Sequence, residues 1–286
     1  MLKSAQIRLL TSNDLPLLLR LINTSEYIYQ RFTHEELPAL LKHYPTMGMF
    51  SGDSLHGFLL SQTVNPPSAW IGGFGVSWTE SLSYVKLLDM LLEHLAKYLI
   101  TRGVRYLYYS GNDMQNDWLR DVLLVRGFAL HRLLYAYDKY DYSVPAPGNA
   151  DVKLRPVETR DIPALLSIEE ACFEDFWRYD ALSFADIAET HPYFVVAELD
   201  GKVVGYQFNA LDGEFGYLVR IAVHPSVNGE GIGVRLMSEA IDFFKKAHVL
   251  RIMLNTQDDN IRAHRLYEWF GFERIEQEGF VLRKLL

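Results

Sequence analysis

The chain repeats itself at half its length. Ile7-Arg8-Leu9 followed by Asn13-Asp14-Leu15-Pro16 returns as Leu154-Arg155-Pro156 followed by Arg160-Asp161-Ile162-Pro163, with both arginines and both aspartates 147 residues apart. Gly75-Val76-Ser77-Trp78 meets Ala222-Val223-His224-Pro225 at the same separation, and Arg126-Gly127-Phe128 meets Phe270-Gly271-Phe272 at 144, a drift that loop lengths explain. A period this long means two copies of one fold, because solenoid repeats run at about 20–50 residues. Between the copies, Pro145-Ala146-Pro147-Gly148-Asn149-Ala150 is rich in breakers. The expected division is a first domain over residues 1–143, a linker over 144–151 and a second domain over 152–286.

The second copy carries the more specific chemistry. An apolar strand through Val219, Ile221 and Val223 runs by way of His224-Pro225 into Asn228-Gly229-Glu230-Gly231-Ile232-Gly233. A helix follows, with Leu236, Met237, Ala240, Ile241 and Phe244 on one face and Arg235, Glu239, Asp242 and Lys246 on the other. A glycine-rich turn opening a helix offers unpaired N–H groups and the positive end of the helix dipole to an anion such as a pyrophosphate. Glycine cannot hold that anion off the backbone and tolerates positive φ. No Lys-Ser/Thr follows the last glycine, so this is not a phosphate-loop NTPase, and the G-x-G-x-G spacing is not that of a dinucleotide fold.

Downstream, a short strand Arg251-Ile252-Met253-Leu254 leads to Asn260-Ile261-Arg262-Ala263-His264-Arg265-Leu266-Tyr267-Glu268-Trp269-Phe270-Gly271-Phe272. From Leu154 onward the chain resembles the GCN5-related N-acetyltransferase (GNAT) superfamily. That family's cofactor loop is written Q/R-x-x-G-x-G/A and its later helix N-x-x-A-x-x-L-Y-x-x-x-G-F. Asn260, Ala263, Leu266, Tyr267, Gly271 and Phe272 match the second motif; Asn228 stands where the first usually has Gln or Arg. The resemblance implies an α/β protein of two tandem acyl-CoA N-acyltransferase folds, each a mixed twisted sheet flanked by helices. It implies acetyl-CoA as cofactor, held by the main chain of Ile221, Ala222 and Val223, by Asn228, Gly229, Glu230, Gly231, Ile232, Gly233 and Val234, and by Asn260 and Tyr267.

Acetyl transfer to an amine needs a neutral amine and a proton for the departing thiolate. The resemblance gives Tyr267 the acid's role, which a phenol of pKa about 10 suits. Asn260 also reads as a helix N-cap, Gly271 as a C-cap, and His264 as lying on the polar side of the Tyr267 helix. Residues 168–187 look like the substrate-side segment of bacterial ribosomal-protein alanine acetyltransferases, which puts Glu174 and Asp175 beside the acceptor. Those enzymes carry a glutamate where this chain has Asn255, so a peptide acceptor is weakened and the base is open among Glu214, Asp212, Glu174, Asp175 and water.

The first copy differs where the cofactor would sit. Residues 79–86, Thr-Glu-Ser-Leu-Ser-Tyr-Val-Lys, contain no glycine, Glu80 would repel a pyrophosphate, and Leu123 stands at the place of Tyr267. The layout is similar to that of tandem members with one degenerate half, such as the mycothiol synthases. The reading is therefore an acetyl-CoA-dependent N-acetyltransferase acting on a small-molecule or peptide amine. A CoA-binding sensor without turnover, or a transferase for another acyl group, remains the alternative.

Composition narrows the rest. A net charge of −8 with no basic patch argues against nucleic acid as a partner. One cysteine, Cys172, and no paired histidine spacing argue against a disulfide or a metal site. No apolar run approaches the roughly 20 residues that span a bilayer, and no secretion signal is evident. A cytoplasmic monomer or homodimer is expected.

Overall fold

The computed structural model describes residues 5–77 and 83–286. Residues 79–82 of the glycine-free loop, Glu80 among them, lie outside that description. In chain order the elements are β1 (Ala5–Leu9), α1 (Leu15–Thr24), β2 (Ser25–Gln30), α2 (Leu37–His43), β3 (Thr46–Ser51), β4 (Ser54–Asn65), β5 (Ser68–Ser77), α3 (Tyr84–Ile100), β6 (Tyr106–Gly111) and α4 (Trp118–Leu124). There follow β7 (Ala129–Lys139), β8 (Lys153–Pro156), α5 (Ile162–Cys172), α6 (Ala181–Thr190), β9 (Tyr193–Leu199), β10 (Lys202–Asp212), β11 (Phe215–Val223), α7 (Ile232–Lys246), β12 (Arg251–Gln257), α8 (Ile261–Trp269) and β13 (Glu273–Leu285).

Two compact units result: Met1–His131 with Phe280–Leu286, and Arg132–Gly279. These limits depart from a linear division at residues 144–151, and strand pairing is the reason. In unit 1 the order is β1-β3-β4-β5-β6, and β6 takes residues 280–285 of β13 as its antiparallel neighbour. In unit 2 the order is β8-β9-β10-β11-β12, and β12 takes residues 134–139 of β7. Each unit is thus finished by a strand that the sequence order assigns to the other copy.

The repeated Arg and Asp are a clamp at the turn from the first strand into the first helix. Arg8 Nη1 and Nη2 donate to the Asp14 carboxylate at 2.9 and 2.6 Å, and the Thr11 amide donates to it at 2.8 Å. In the second copy Arg155 donates to Asp161 at 2.7 and 2.8 Å, and the Glu158 amide does so at 2.8 Å. Pro16 and Pro163 then open α1 and α5, where a missing N–H costs nothing.

In unit 2 the helices cover opposite faces of the sheet. From α7, Met237, Ala240, Ile241 and Phe244 share a core with Leu218, Leu254 and, from α8, Tyr267. On the other side, Leu165 and Ile168 of α5 and Phe184 and Ile187 of α6 pack on Val196, Tyr206 and Phe208.

Candidate active site

β11 and β12 are parallel partners only at residues 215–217 with 251–253. Beyond that, β11 keeps its bonds to β10 while residues 218–223 have no pairing to β12, whose other edge is bonded to β7 over residues 252–257. A bulge at Val219, where Phe208 pairs Arg220 and Asn209 pairs Leu218, helps the strands diverge. The result is a slot along which residues 221–223 have no strand partner on this side, the Val223 carbonyl accepting from the Cys172 thiol at 3.2 Å.

At the end of that edge the chain passes through a short 3-10 turn, Pro225–Val227, into the glycine loop. Gly229 and Gly231 have φ of 87° and 72°, values that side chains resist, so both glycines are required by the backbone itself. Gly231 is the N-cap of α7, and the first bond of the helix is from the Arg235 amide to the Gly231 carbonyl at 3.0 Å. Among the described residues, the amides of Gly229, Glu230, Gly231, Ile232, Gly233 and Val234 have no acceptor. That is the donor set an anion needs, and it fits a pyrophosphate.

The linker braces this loop from behind. Asn149 donates through its side chain to the Glu230 carbonyl at 2.9 Å and through its amide to the Gly231 carbonyl at 3.3 Å. The Ser238 hydroxyl of α7 donates to the Ala146 carbonyl at 2.8 Å. Gly148, at φ 84°, lies so close to α7 that a Cβ there would stand 2.3 Å from the Arg235 amide nitrogen.

Asn260 caps α8, accepting from the Ala263 amide at 3.3 Å and donating to the Thr256 hydroxyl at 3.2 Å. Tyr267, 5% exposed, stands in the core with Leu218 and Leu254, the residues at which the two strands part. Its ring meets Tyr137 edge-on at 5.8 Å, and its hydroxyl has no hydrogen-bond partner among the described residues. Burial pushes the phenol well above its usual pKa, Tyr137 adds to the rise, and the Arg220 charge opposes it. The proton therefore stays on the oxygen at neutral pH.

Glu214 lies in the turn between β10 and β11, beside the end at which β11 and β12 are paired, and its carbonyl accepts from the Leu250 amide at 2.8 Å. The register sets it apart from the slot and from Tyr267, and Asp212 shares its end of the hairpin. Glu174 accepts from Arg132 at 2.9 and 3.1 Å, and Asp175 pairs with Arg178 at 2.7 Å. Asn255 is exposed on β12, opposite Ala136 in the register.

Two features escape sequence reasoning. His264 is 9% exposed and not on a polar face: its Nε2 lies 3.2 Å from the Asp258 carbonyl and its Nδ1 2.8 Å from the Tyr137 hydroxyl. A carbonyl only accepts, so Nε2 is the donor in the first contact, and in the neutral ring Nδ1 accepts from the Tyr137 hydroxyl. Glu169, 1% exposed, accepts from the Tyr179 amide at 2.7 Å and from the Tyr206 hydroxyl, and faces Arg220 at 3.7 Å. Arg220 in turn donates to the Trp177 carbonyl at 2.7 Å and lies over the rings of Phe173 and Tyr179 at 4.1 and 4.3 Å. The signal for Glu169 was its place one turn after Leu165 on the apolar face of α5.

Among the described residues no group of three or more His, Cys, Asp or Glu is arranged to hold a metal ion, and no helix is long and apolar enough to cross a membrane.

A profile for the Acetyltransferase (GNAT) family matches residues 162–272. An uncharacterised N-acetyltransferase of Methanocaldococcus jannaschii is 30% identical over 121 residues, covering 42% of this chain and 76% of the relative. The chain belongs to the GNAT family. Its GNAT relatives reach into the first copy as well: a mycothiol acetyltransferase of Thermobispora bispora is 29% identical over 251 residues, 79% of each chain. A solved tandem GNAT protein from the clavulanic acid biosynthesis pathway superposes with a TM-score of 0.67 at 13% identity, covering 99% of this chain and 98% of that one. The tandem GNAT fold expected from the repeat is therefore the fold observed. As a GNAT the protein is an acyltransferase, of a family that acts on amine acceptors.

Proposed function

We propose that unit 2 binds acetyl-CoA and passes its acetyl group directly to a primary amine of a small molecule or peptide. The observation that carries this reading is the strand-free edge of β11 ending at a loop of acceptorless amides. A pantetheine arm carries amides that pair with such an edge as an added strand would, and the pyrophosphate fits residues 229–234. The match to a mycothiol acetyltransferase across both copies favours the small-molecule acceptor.

The bound thioester supplies the acyl carbon; the chain positions it and manages protons. Tyr267, in this reading, donates its hydroxyl proton to the departing sulfur. The acceptor, in this reading, meets the thioester beside the segment after α5 that carries Glu174 and Asp175. Those two are held by Arg132 and Arg178, and Glu169 is held by Arg220. No base is assigned to them: the amine enters neutral, the proton its nitrogen sheds as the amide forms passes to water, and water returns a proton to Tyr267. Half-buried Cys172, the one cysteine, fits a reducing cytoplasm.

The test is thiol release from acetyl-CoA across a panel of small amines and peptide N-termini. Release is expected with at least one amine, with kcat/KM rising with pH toward that amine's own pKa. Tight binding of acetyl-CoA without release on any amine would overturn the reading.

A further inference from the structure

The first copy has the same slot, and its own chain fills it. β5 and β6 are parallel partners only at residues 68–70 with 106–108, as β11 and β12 are at their start. Further along, the edge of β5 is not bare: Ser25, Tyr27, Ile28, Tyr29 and Gln30 of β2 pair with it antiparallel, at Ser77, Val76, Gly75, Phe74 and Gly73. The Arg31 amide extends the ladder to the Gly72 carbonyl at 3.0 Å. The wedge is fastened to the other lip as well. Tyr29 donates its hydroxyl to the Ser110 carbonyl of β6 at 2.9 Å, and the Arg31 guanidinium donates to the Ser110 hydroxyl.

The repeat shows what changed. At the separation of 147, Ser25 corresponds to Cys172 and Gly73 to Arg220. In unit 2 the chain after Cys172 avoids the slot: it turns through the 3-10 segment Asp175–Trp177, held aside by Arg220 on the Trp177 carbonyl and by the Cys172 thiol on the Val223 carbonyl at 3.2 Å. In unit 1 the same stretch reads Tyr27-Ile28-Tyr29, which suits a strand, where unit 2 has Glu174-Asp175-Phe176, which does not. Gly73 removes the counterpart of the Arg220 side chain, and a Cβ there would stand 2.6 Å from the Phe32 ring. At Gly75 a Cβ would lie 2.6 Å from Phe58 and 3.1 Å from the Ser25 hydroxyl. The strand and the glycines that admit it belong together.

We propose that residues 25–30 are a built-in occupant of the unit 1 slot, standing where acyl-pantetheine stands in unit 2, so that unit 1 is closed to acyl-CoA. The equivalence with pantetheine rests on the proposed reading of unit 2. Backbone amides of the same chain meet the same kind of edge that a ligand's amides would meet, and the tether spares them any loss on dilution.

Hydrogen exchange on the full chain, with and without saturating acetyl-CoA, tests the two statements separately. Peptides over residues 72–77 are expected to exchange slowly in both conditions, and peptides over 218–223 to exchange quickly alone and at least tenfold more slowly with acetyl-CoA. Added protection at 72–77 on ligand binding, or exchange there as fast as at 218–223 without it, would overturn the built-in occupant. Slow exchange at 72–77 with no response at 218–223 would leave the occupant standing and remove the acetyl-CoA reading of unit 2. A Tyr29→Ala/Arg31→Ala variant, lacking the fastening to Ser110, should exchange at least tenfold faster at 72–77; unchanged exchange in a folded variant counts against the wedge. Should the variant not fold, the wild-type comparison decides.

Discussion

At the scale of single residues, Tyr267 bears the most weight. Tyr267→Phe keeps the ring against Tyr137 and Phe272 and removes only the proton. We expect kcat to fall by about one to three orders of magnitude with little change in acetyl-CoA affinity, since the hydroxyl matters as charge develops on sulfur. Steady-state kinetics with calorimetry checks this; a lost affinity at unchanged kcat would make Tyr267 a binding residue. The clamp aspartates give a pH signature. Hydrogen bonding from Arg8 holds the Asp14 carboxyl below its ordinary 3.8, at about 2, and Asp161 is lowered by Arg155 in the same way. A lowered folded-state pKa means the stabilisation is fully present above about pH 4 and is lost as pH falls toward 2. Because Arg8 is 41% exposed, about 1 kcal/mol is a fair size after solvent screening. Melting temperatures between pH 5 and 2 should therefore fall less steeply in Asp14→Asn than in the wild type. The sequence made both aspartates visible through their repetition, and Asn260 and Gly231 through their motifs. It misplaced His264 and showed of Glu169 only a place on the apolar face of α5, because a charged or titratable side chain on a helix gives no sign of which partner waits inside. Tyr137, the partner of His264, lies 127 residues away in the chain.

At the scale of elements, the unexpected part is the linker. Its breakers announced a connection between copies, yet Ala146, Gly148 and Asn149 lie on α7 and fasten the loop that precedes it. Gly148→Ala would place a methyl group against the Arg235 backbone at a φ that alanine resists. The linker must then lift, and Asn149 loses its hold on Glu230 and Gly231. We expect the Kd for acetyl-CoA to rise about three- to tenfold, roughly 1 kcal/mol, with a lower melting temperature; calorimetry showing wild-type affinity would separate the linker from the loop. α7 and α8 were legible because an amphipathic period names the buried face. β2 was not, since a strand's pattern tells which side chains are buried but not which edge it joins.

At the scale of the whole molecule, two strands serve the copy they do not belong to by sequence order. A fragment of residues 150–286 retains the glycine loop and Tyr267 but loses residues 134–139, which pair with β12 and supply Tyr137 to the core. A stripped edge beside an opened core invites aggregation. We expect that fragment to be insoluble or to melt far below the full chain, and a fragment of residues 132–279, the compact unit itself, to be the more soluble of the two. Equal solubility and melting would show that the borrowed strand is dispensable. The repeat foretold two folds and could not foretell this exchange, because the residues of β7 and β13 look alike whichever neighbour they take. The exchange also bears on how the protein is made. Synthesis runs from the N-terminal side to the C-terminal side, and domains ordinarily finish in that order as they leave the ribosome. Unit 1, although translated first, waits for residues 280–286 before β6 has its neighbour. A product interrupted before residue 280 would therefore be defective in unit 1, the half made before unit 2, and degradation of that half would remove unfinished enzyme along with it.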